Sequence, residues 1–213
     1  MSRLRLTEIF HSLQGEARSV GWPTVFVRLT GCPLRCGYCD TTYAFKGGDW
    51  HEIDDILREV ASYKARHVCV TGGEPLAQKD CLTLLRKLCD EGYEVSLETS
   101  GSLDVAEVDP RVVKVMDLKT PSSGEMEKNR YSNIEHLSKQ DQVKFVIANA
   151  EDYQWSCDKM REYRLNERCE TLFSPVQGQM PASDLAEWIL RDALPVRFQV
   201  QLHKYLWGDE PGK

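Results

Sequence analysis

The decisive stretch of this sequence reads Val25-Phe26-Val27-Arg28-Leu29-Thr30-Gly31-Cys32-Pro33-Leu34-Arg35-Cys36-Gly37-Tyr38-Cys39-Asp40, an apolar, β-branched run joined directly to three cysteines. The apolar run predicts a strand, and the cysteines follow it as C-x3-C-x2-C. Three such thiolates suit a [4Fe-4S] cluster whose fourth iron stays open for a small molecule. The alternatives are core cysteines or a zinc knuckle. Structural zinc, however, needs four protein ligands, and no nearby Cys or His pair supplies the fourth.

The alternation of strand and helix continues along the chain. Apolar β-branched runs predict strands at 67–71, 94–98, 112–117, 142–147, 171–173 and 196–202. Helical spacing predicts helices at 54–63, 79–91, 152–163 and 183–191, and short connections indicate that other helices are abbreviated. This pattern implies right-handed crossovers and a mainly parallel α/β sheet. Ligands are then expected at the carboxyl ends of the strands.

Length, composition and charge narrow the class of protein. With 213 residues, 41% of them hydrophobic, we expect a single domain spanning 1–213. The net charge of -6 offers no basic field for nucleic acid. Residues Met1 to Thr7 alternate charge with single leucines and do not resemble a secretion signal, and no apolar run reaches membrane-spanning length. We therefore expect a cytoplasmic protein without a membrane or nucleic-acid partner.

Eight cysteines in a reducing compartment favour metal binding or chemistry over disulfides. Cys69 lies in an apolar strand, and Cys81 and Cys89 lie in a helical stretch, so these three are expected to pack in the core. Cys157 and Cys169 have no assigned role, and their spacing does not indicate a second cluster. The polar segment 120–133 is expected to be a long loop or a poorly ordered insertion.

Several polar motifs follow the predicted strands. Thr71-Gly72-Gly73-Glu74-Pro75 combines glycines, which let a ligand approach the backbone, with a carboxylate that suits an ammonium group. Alone it is equally a common turn. Later strands end in Glu98-Thr99-Ser100-Gly101, Asp117-Leu118-Lys119 and Ser174-Pro175-Val176-Gln177, where ligand binding competes with helix capping and turn formation as the explanation.

The cysteine loop resembles the signature of the radical S-adenosylmethionine (SAM) superfamily, with the aromatic Tyr38 just before Cys39. The Gly-Gly-Glu turn resembles the motif that contacts the SAM amino group there. This resemblance implies a [4Fe-4S] cluster on Cys32, Cys36 and Cys39, and SAM cleavage to a 5′-deoxyadenosyl radical. With the strand and helix alternation, it implies an incomplete parallel (β/α)6-type barrel. The SAM contacts it implies are Tyr38, Asp40, Gly73, Glu74, Asp117, Leu118, Lys119, Ser174, Pro175, Val176 and Gln177.

The amino-terminal string narrows the resemblance further. Glu8-Ile9-Phe10-His11-Ser12-Leu13-Gln14-Gly15-Glu16, the Gly21-Trp22-Pro23 segment, Asp40-Thr41 and the closing Gln201-Leu202-His203-Lys204 are similar to the 7-carboxy-7-deazaguanine synthase family. One departure is Ala17, where that family often has glycine. The resemblance implies ring contraction of 6-carboxy-5,6,7,8-tetrahydropterin to 7-carboxy-7-deazaguanine with loss of ammonia, on the route to queuosine and other deazapurines.

The same resemblance implies partners for the substrate. Leu13, Gln14, Gly15 and Glu16 would read the pterin edge, Arg28 would bind the substrate carboxylate, and Thr71 and His203 would add contacts. Thr41 would bind Mg2+ alongside substrate oxygens. Away from the family, a strand arginine often pairs with an acid, a terminal histidine is often structural, and a Thr after Asp often caps locally. An electron donor such as flavodoxin or ferredoxin and a homodimer are also implied.

Two other functions remain open from the residues alone. A glycyl-radical-enzyme activase would share the cysteine loop but act on a protein backbone, and the Ser12-Leu13-Gln14-Gly15-Glu16 string weighs against it. A zinc- or cluster-binding interaction module would not cleave SAM on reduction, and it leaves the Gly-Gly-Glu turn unexplained.

Overall fold

One continuous nine-stranded sheet forms the centre of the protein, in a computed structural model that describes residues 2–208, 210, 212 and 213. Its order is β3-β1-β2-β4-β5-β6-β7-β8-β9. Strands β2 and β4 to β9 run parallel to one another, whereas β1 is antiparallel to both β2 and β3. The strands are β1 Arg3–Leu13, β2 Pro23–Leu29, β3 Asp49–Glu52, β4 His67–Gly72, β5 Glu94–Thr99, β6 Val113–Asp117, β7 Gln142–Ile147, β8 Glu170–Pro175 and β9 Arg197–Phe198. This architecture confirms the predicted open, mainly parallel α/β barrel.

Helices cover the outer face of the sheet because their apolar residues recur at helical spacing. Ile53, Ile56, Leu57 and Val60 of the first helix are buried, and so are the equivalently spaced residues of the second. One core lies between these helices and the first strands, and a second lies between the third to fifth helices and β6 to β8. The helices are α1 Ile53–Ser62, α2 Cys81–Asp90, α3 Ala150–Glu162, α4 Leu165–Arg168, α5 Ala182–Arg191 and α6 Leu202–Trp207.

Alternation along the strands leaves the inner face of the sheet polar. On β2, Val25, Val27 and Leu29 are fully buried in the core, whereas Phe26 and Arg28 face a cavity on the other side. Thr71 on β4 and Lys144 on β7 line the same cavity. The sheet therefore separates an apolar, helix-covered face from a polar, ligand-sized interior.

The structure differs from the sequence predictions at both ends of the chain. The amino-terminal segment in which charged residues alternate with leucines forms strand β1. Its Leu4 and Leu6 are buried on one face of the sheet. The strand predicted at 196–202 is wrong beyond residue 198. The backbone N–H of Gln199 still donates to the Phe173 carbonyl of β8, but the Gln199 side chain bonds both the N–H and the C=O of Ala17, and α6 begins at Leu202.

The segment 120–133 is folded and does not form a poorly ordered insertion. It contains three short 3₁₀ helices, at Pro121–Ser123, Met126–Lys128 and Tyr131–His136. Buried Asn133 stabilises its end by donating to the carbonyls of Gly101 and Leu103. As the short connections indicated, the residues between β5 and β6 contain no helix.

The cysteines outside the loop pack in the cores. Cys81, Cys157 and Cys169 are buried, Cys89 packs at the core margin, and Cys69 is buried at the floor of the cavity. No helix in the part of the chain that the structure describes combines the length and apolarity needed to cross a bilayer.

Candidate active site

A cavity of about 690 Å3 opens at the carboxyl ends of the parallel strands. This is where a parallel α/β sheet is expected to bind ligands. Most of the predicted site residues line it: Leu13, Gln14, Gly15, Glu16, Arg28, Cys32, Cys36, Tyr38, Cys39, Asp40, Thr41, Thr71, Gly73, Asp117, Lys119, Val176, Gln177 and His203. Glu74, Leu118, Ser174 and Pro175 are buried behind its wall.

The cysteine loop is held in place by the 120–133 segment. The N–H of Arg35 donates to Glu125 Oε1 at 2.6 Å, and the N–H of Gly37 donates to the Ser123 carbonyl at 3.0 Å. The Tyr38 hydroxyl lies 3.2 Å from Thr120 Oγ1. A segment that looked like an insertion in the sequence is therefore the outer support of the loop.

The loop fits an iron–sulfur cluster. Cys32, Cys36 and Cys39 are free, partly exposed thiols that line one wall of the cavity. Burial raises the pKa of Cys36 to about 11, so its thiolate needs a strong positive partner such as iron. Among the described residues, no three His, Cys, Asp or Glu side chains form a set that could hold one metal ion. A cubane cluster differs because three of its irons would each take one thiolate, so the three sulfurs need not converge on a single ion.

The two glycines of the turn after β4 pack against the start of the cysteine loop. A Cβ at Gly73 would overlap the Gly31 carbonyl and the Cys32 Cβ, and Gly72 has φ +148° with Leu29 equally close. The Glu74 carboxylate accepts hydrogen bonds from Thr99, Ser100 and the N–H of Leu76. Four donors already hold Glu74 in place, and its proposed contact with SAM stays a prediction.

The opposite wall comes from the turn after β1. The backbone of Gln14 closes this turn by bonding Trp22 and Gly21. Gly15 has no room for a side chain because a Cβ would overlap His203 Nδ1, and the Gly15 carbonyl accepts from the N–H of Leu202. The carboxyl-terminal helix α6 is thereby held against the predicted pterin-reading residues. Ala17, two residues after Gly15, adopts φ +62°, the region that glycine favours.

A buried lysine that the sequence analysis did not single out lies at the centre of the cavity. Lys144 Nζ is 2.5 Å from Glu16 Oε2, 3.9 Å from Glu98 Oε2 and 3.8 Å from Asp117 Oδ2. Burial alone would lower the pKa of Lys144, but the three carboxylates outweigh it and raise that pKa well above its usual value. A charged residue inside the apolar run 142–147 is the signal that could have identified it.

Glu98 also lies in the cavity wall and was assigned no individual role from sequence. Burial raises its pKa to about 7, although Lys144 acts in the opposite direction. Three buried polar atoms of the wall have no hydrogen-bond partner among the residues that the structure describes: Gln14 Nε2, Glu98 Oε1 and Asp117 Oδ1. Buried polar groups are normally hydrogen-bonded, so this donor and these two acceptors are suited to a polar ligand.

Arg28 is oriented by a residue from the neighbouring strand. Its Nε donates to Glu8 Oε1 at 2.7 Å, and the Tyr43 hydroxyl donates to the same oxygen at 2.9 Å. The guanidinium lies over the Phe10 ring, 5.4 Å from its centroid. Both interactions limit the motion of an arginine whose side chain lines the cavity.

Thr41 lies where the cysteine loop meets α6. Its hydroxyl donates to Asp40 Oδ1 at 2.8 Å, and Asp40 Oδ2 lies 3.2 Å from Lys204 Nζ. Because the hydroxyl hydrogen of Thr41 is used in this bond, the oxygen lone pairs are available to a hard cation. The residue chemistry therefore fits Mg2+ at this corner of the cavity.

Comparison with known proteins gives one consistent result. The Radical SAM superfamily model matches residues 26–118. The 7-carboxy-7-deazaguanine synthase of Chlorobaculum tepidum is 46% identical over 210 residues, covering 97% of this chain and 96% of that protein. The enzyme of the same name from Koribacter versatilis is 40% identical over 222 residues, covering 97% and 98%.

Among solved structures, QueE from Escherichia coli superposes with a TM-score of 0.78 at 22% identity, covering 94% of this chain and 95% of that one. This likeness supports the fold, and the sequence identities over nearly complete chains decide the family. The chain belongs to the 7-carboxy-7-deazaguanine synthase family, within the radical SAM superfamily.

Proposed function

We propose that this enzyme converts 6-carboxy-5,6,7,8-tetrahydropterin to 7-carboxy-7-deazaguanine with loss of ammonia, on the route to queuosine and other deazapurines. The observation that carries the proposal is that one cavity joins the cysteine loop to the wall formed by Gln14, Glu98 and Arg28. When bound there, a reduced [4Fe-4S] cluster and SAM supply a 5′-deoxyadenosyl radical that takes a hydrogen atom from the substrate. Cys32, Cys36 and Cys39 would hold the cluster.

The chain's own residues would bind and orient the substrate. The unpartnered Gln14 Nε2 offers a donor and Glu98 Oε1 an acceptor, which is the mixture that a pterin edge requires. Arg28, with its Nε fixed by Glu8, would bind the substrate carboxylate through its terminal N–H groups. Burial and Lys144 hold Glu16 rigid, so that the cavity keeps its shape as the ring contracts.

The SAM contacts are proposed at the cysteine side of the cavity. Tyr38, Asp40, Gly73, Asp117, Lys119, Val176 and Gln177 line the cavity and are the residues proposed for these contacts. Asp117 Oδ1 is buried without a hydrogen-bond partner in the described part of the chain, so it is suited to a donor from a ligand. We propose Mg2+ at Thr41, where it would orient the substrate carboxylate.

Three broader proposals accompany the reaction. Residues 1–213 act as one catalytic domain, which the single continuous sheet supports. The enzyme works in the cytoplasm as a homodimer, as its family resemblance implies. A small redox protein such as flavodoxin or ferredoxin supplies the electron, as the family resemblance also implies.

The test is an anaerobic turnover assay. The enzyme is reconstituted with iron and sulfide, reduced with dithionite and given SAM, Mg2+ and 6-carboxytetrahydropterin while products are followed by mass spectrometry. We expect 7-carboxy-7-deazaguanine from the wild type and none from Cys32→Ala, whereas Cys89→Ala, at the core margin, retains activity. Formation of 5′-deoxyadenosine without 7-carboxy-7-deazaguanine would support the proposed SAM cleavage and refute the proposed substrate.

A further inference from the structure

The carboxylate of Asp40 lies between two elements that meet at the proposed Mg2+ corner. Its Oδ1 accepts the Thr41 hydroxyl hydrogen at 2.8 Å. Its Oδ2 lies 3.2 Å from Lys204 Nζ and 3.3 Å from Gln201 Nε2, both from the carboxyl-terminal part of the chain. Every acceptor oxygen of Asp40 is therefore engaged by the protein.

Lys204 is anchored and does not behave as a mobile surface lysine. Its side chain is 15% exposed, and it lies on α6. Helix α6 is fixed at its start because the N–H of Leu202 donates to the Gly15 carbonyl at 3.0 Å and Gln201 donates to Glu16 Oε1 at 2.8 Å. These contacts with Gly15 and Glu16 hold α6 in place, and α6 thereby holds the ammonium group of Lys204 next to Asp40.

This arrangement has a consequence for a divalent cation at Thr41. Carboxylate oxygens are the ligands that Mg2+ prefers, and Asp40 is the carboxylate next to Thr41 in the chain. An ammonium group at 3.2 Å neutralises that carboxylate and repels a second cation at close range. Thr41 is then left as the protein's ligand, and the remaining ligands must come from water and substrate.

We propose that Lys204 is a positioning residue that keeps Asp40 out of divalent-cation coordination, so that the cation binds at Thr41 only together with the substrate. The inference rests on the Mg2+ site of the proposed function. It assigns a specific role to the Lys204–Asp40 ion pair, which makes cation binding depend on the presence of substrate.

The test measures cation binding directly and does not depend on turnover. Mn2+ is titrated into the reconstituted, oxidised enzyme without substrate, and free Mn2+ is followed by electron paramagnetic resonance. Lys204→Met is expected to bind Mn2+ at least about tenfold more tightly than the wild type, because a full charge within a few ångströms of the site is removed. Lys204→Arg, which keeps the charge, should bind Mn2+ as the wild type does.

A matched control separates this local effect from net charge. Lys87 forms an exposed ion pair with Asp54 far from the cavity, and Lys87→Met changes the net charge of the protein by the same one unit. It should leave Mn2+ binding unchanged. Adding Asp40→Asn to Lys204→Met should abolish the gain, because the carboxylate released by the loss of Lys204 is the group that would bind Mn2+.

Several results would overturn the proposal. Wild-type affinity in a folded Lys204→Met enzyme, an equal gain in Lys87→Met, or a gain that survives Asp40→Asn would each do so. Should Lys204→Met fail to fold, Lys204→Gln takes its place, and wild-type affinity in that variant would equally overturn the proposal. If the variants show the expected Mn2+ binding but the enzyme forms no 7-carboxy-7-deazaguanine, the role of Lys204 is supported and the proposed function is refuted.

Discussion

Replacement of Lys144 by methionine tests how much this buried ammonium group stabilises the three carboxylates around it. Lys144 is 8% exposed, and its ammonium group is the shared partner of Glu16, Glu98 and Asp117. Methionine fills a similar volume but leaves Glu16 and Glu98 facing each other without their cation, whereas Asp117 keeps its ion pair with Lys119 at 2.9 Å. Breaking a buried ion pair by removing one partner costs about 3–5 kcal/mol, because the remaining charge stays buried.

The assay is urea unfolding of the cluster-free protein under reducing, anaerobic conditions. With a urea dependence of about 2 kcal/mol per M, the expected loss lowers the unfolding midpoint by roughly 1.5–2.5 M. The loss should shrink as the pH is lowered, because unpaired carboxylates in a buried site take up protons more readily. Lys87→Met, which breaks an exposed pair with Asp54, is the control and should barely move the midpoint.

A decrease of less than about 1 kcal/mol in Lys144→Met, close to what an exposed pair contributes, would refute this reasoning. It would mean that water enters the cavity floor and solvates the carboxylates, so that Lys144 is not their essential partner. The substrate-binding role proposed for the rigid Glu16 would then lose its structural basis.

Three further predictions follow from single contacts. Gly15→Ala should raise KM for the pterin with little change in protein stability, because the new methyl group displaces His203. Ala17→Gly should not lower the free energy of unfolding in urea, because relief of φ +62° offsets the loss of the buried methyl group. Glu98 binds a proton in the folded state up to about pH 7 that the unfolded chain releases near its ordinary pKa of 4.5. The free energy of unfolding should therefore fall as pH rises through that window, by on the order of 3 kcal/mol, and Glu98→Gln should remove the dependence. Equal pH profiles for Glu98→Gln and the wild type would contradict this account, as would unchanged KM in Gly15→Ala or lower stability in Ala17→Gly.

Much of the fold was predictable from hydrophobic periodicity. The strands β2 and β4 to β8 and the helices α1, α2, α3 and α5 correspond to predicted segments, because each is long and strongly patterned. β1 was missed because its buried Leu4 and Leu6 alternate with arginines, so the segment looked polar. The strand predicted at 196–202 continues only to Phe198, because the chain after it turns to contact the distant segment that follows β1, where Gln199 bonds Ala17 and Gln201 bonds Glu16.

The candidate site was predictable where residues are adjacent in sequence. The cysteine loop and the Gly72-Gly73 turn form contiguous motifs, and the structure places both at the cavity. Contacts between distant residues were not predictable: Lys144 with Glu16, Lys204 with Asp40, and Glu125 with the backbone of Arg35. Such pairs depend on how strands and loops from different parts of the chain meet, which local patterns do not encode.

The most direct test of the central claim follows hydrogen transfer within the cavity. The reconstituted enzyme is reduced and given SAM with ring-deuterated 6-carboxytetrahydropterin, and 5′-deoxyadenosine is analysed by mass spectrometry. If the substrate binds beside a cluster on Cys32, Cys36 and Cys39, deuterium appears in 5′-deoxyadenosine together with 7-carboxy-7-deazaguanine. Unlabelled 5′-deoxyadenosine without the deazaguanine product would contradict the account, because the radical would then form without the pterin in reach.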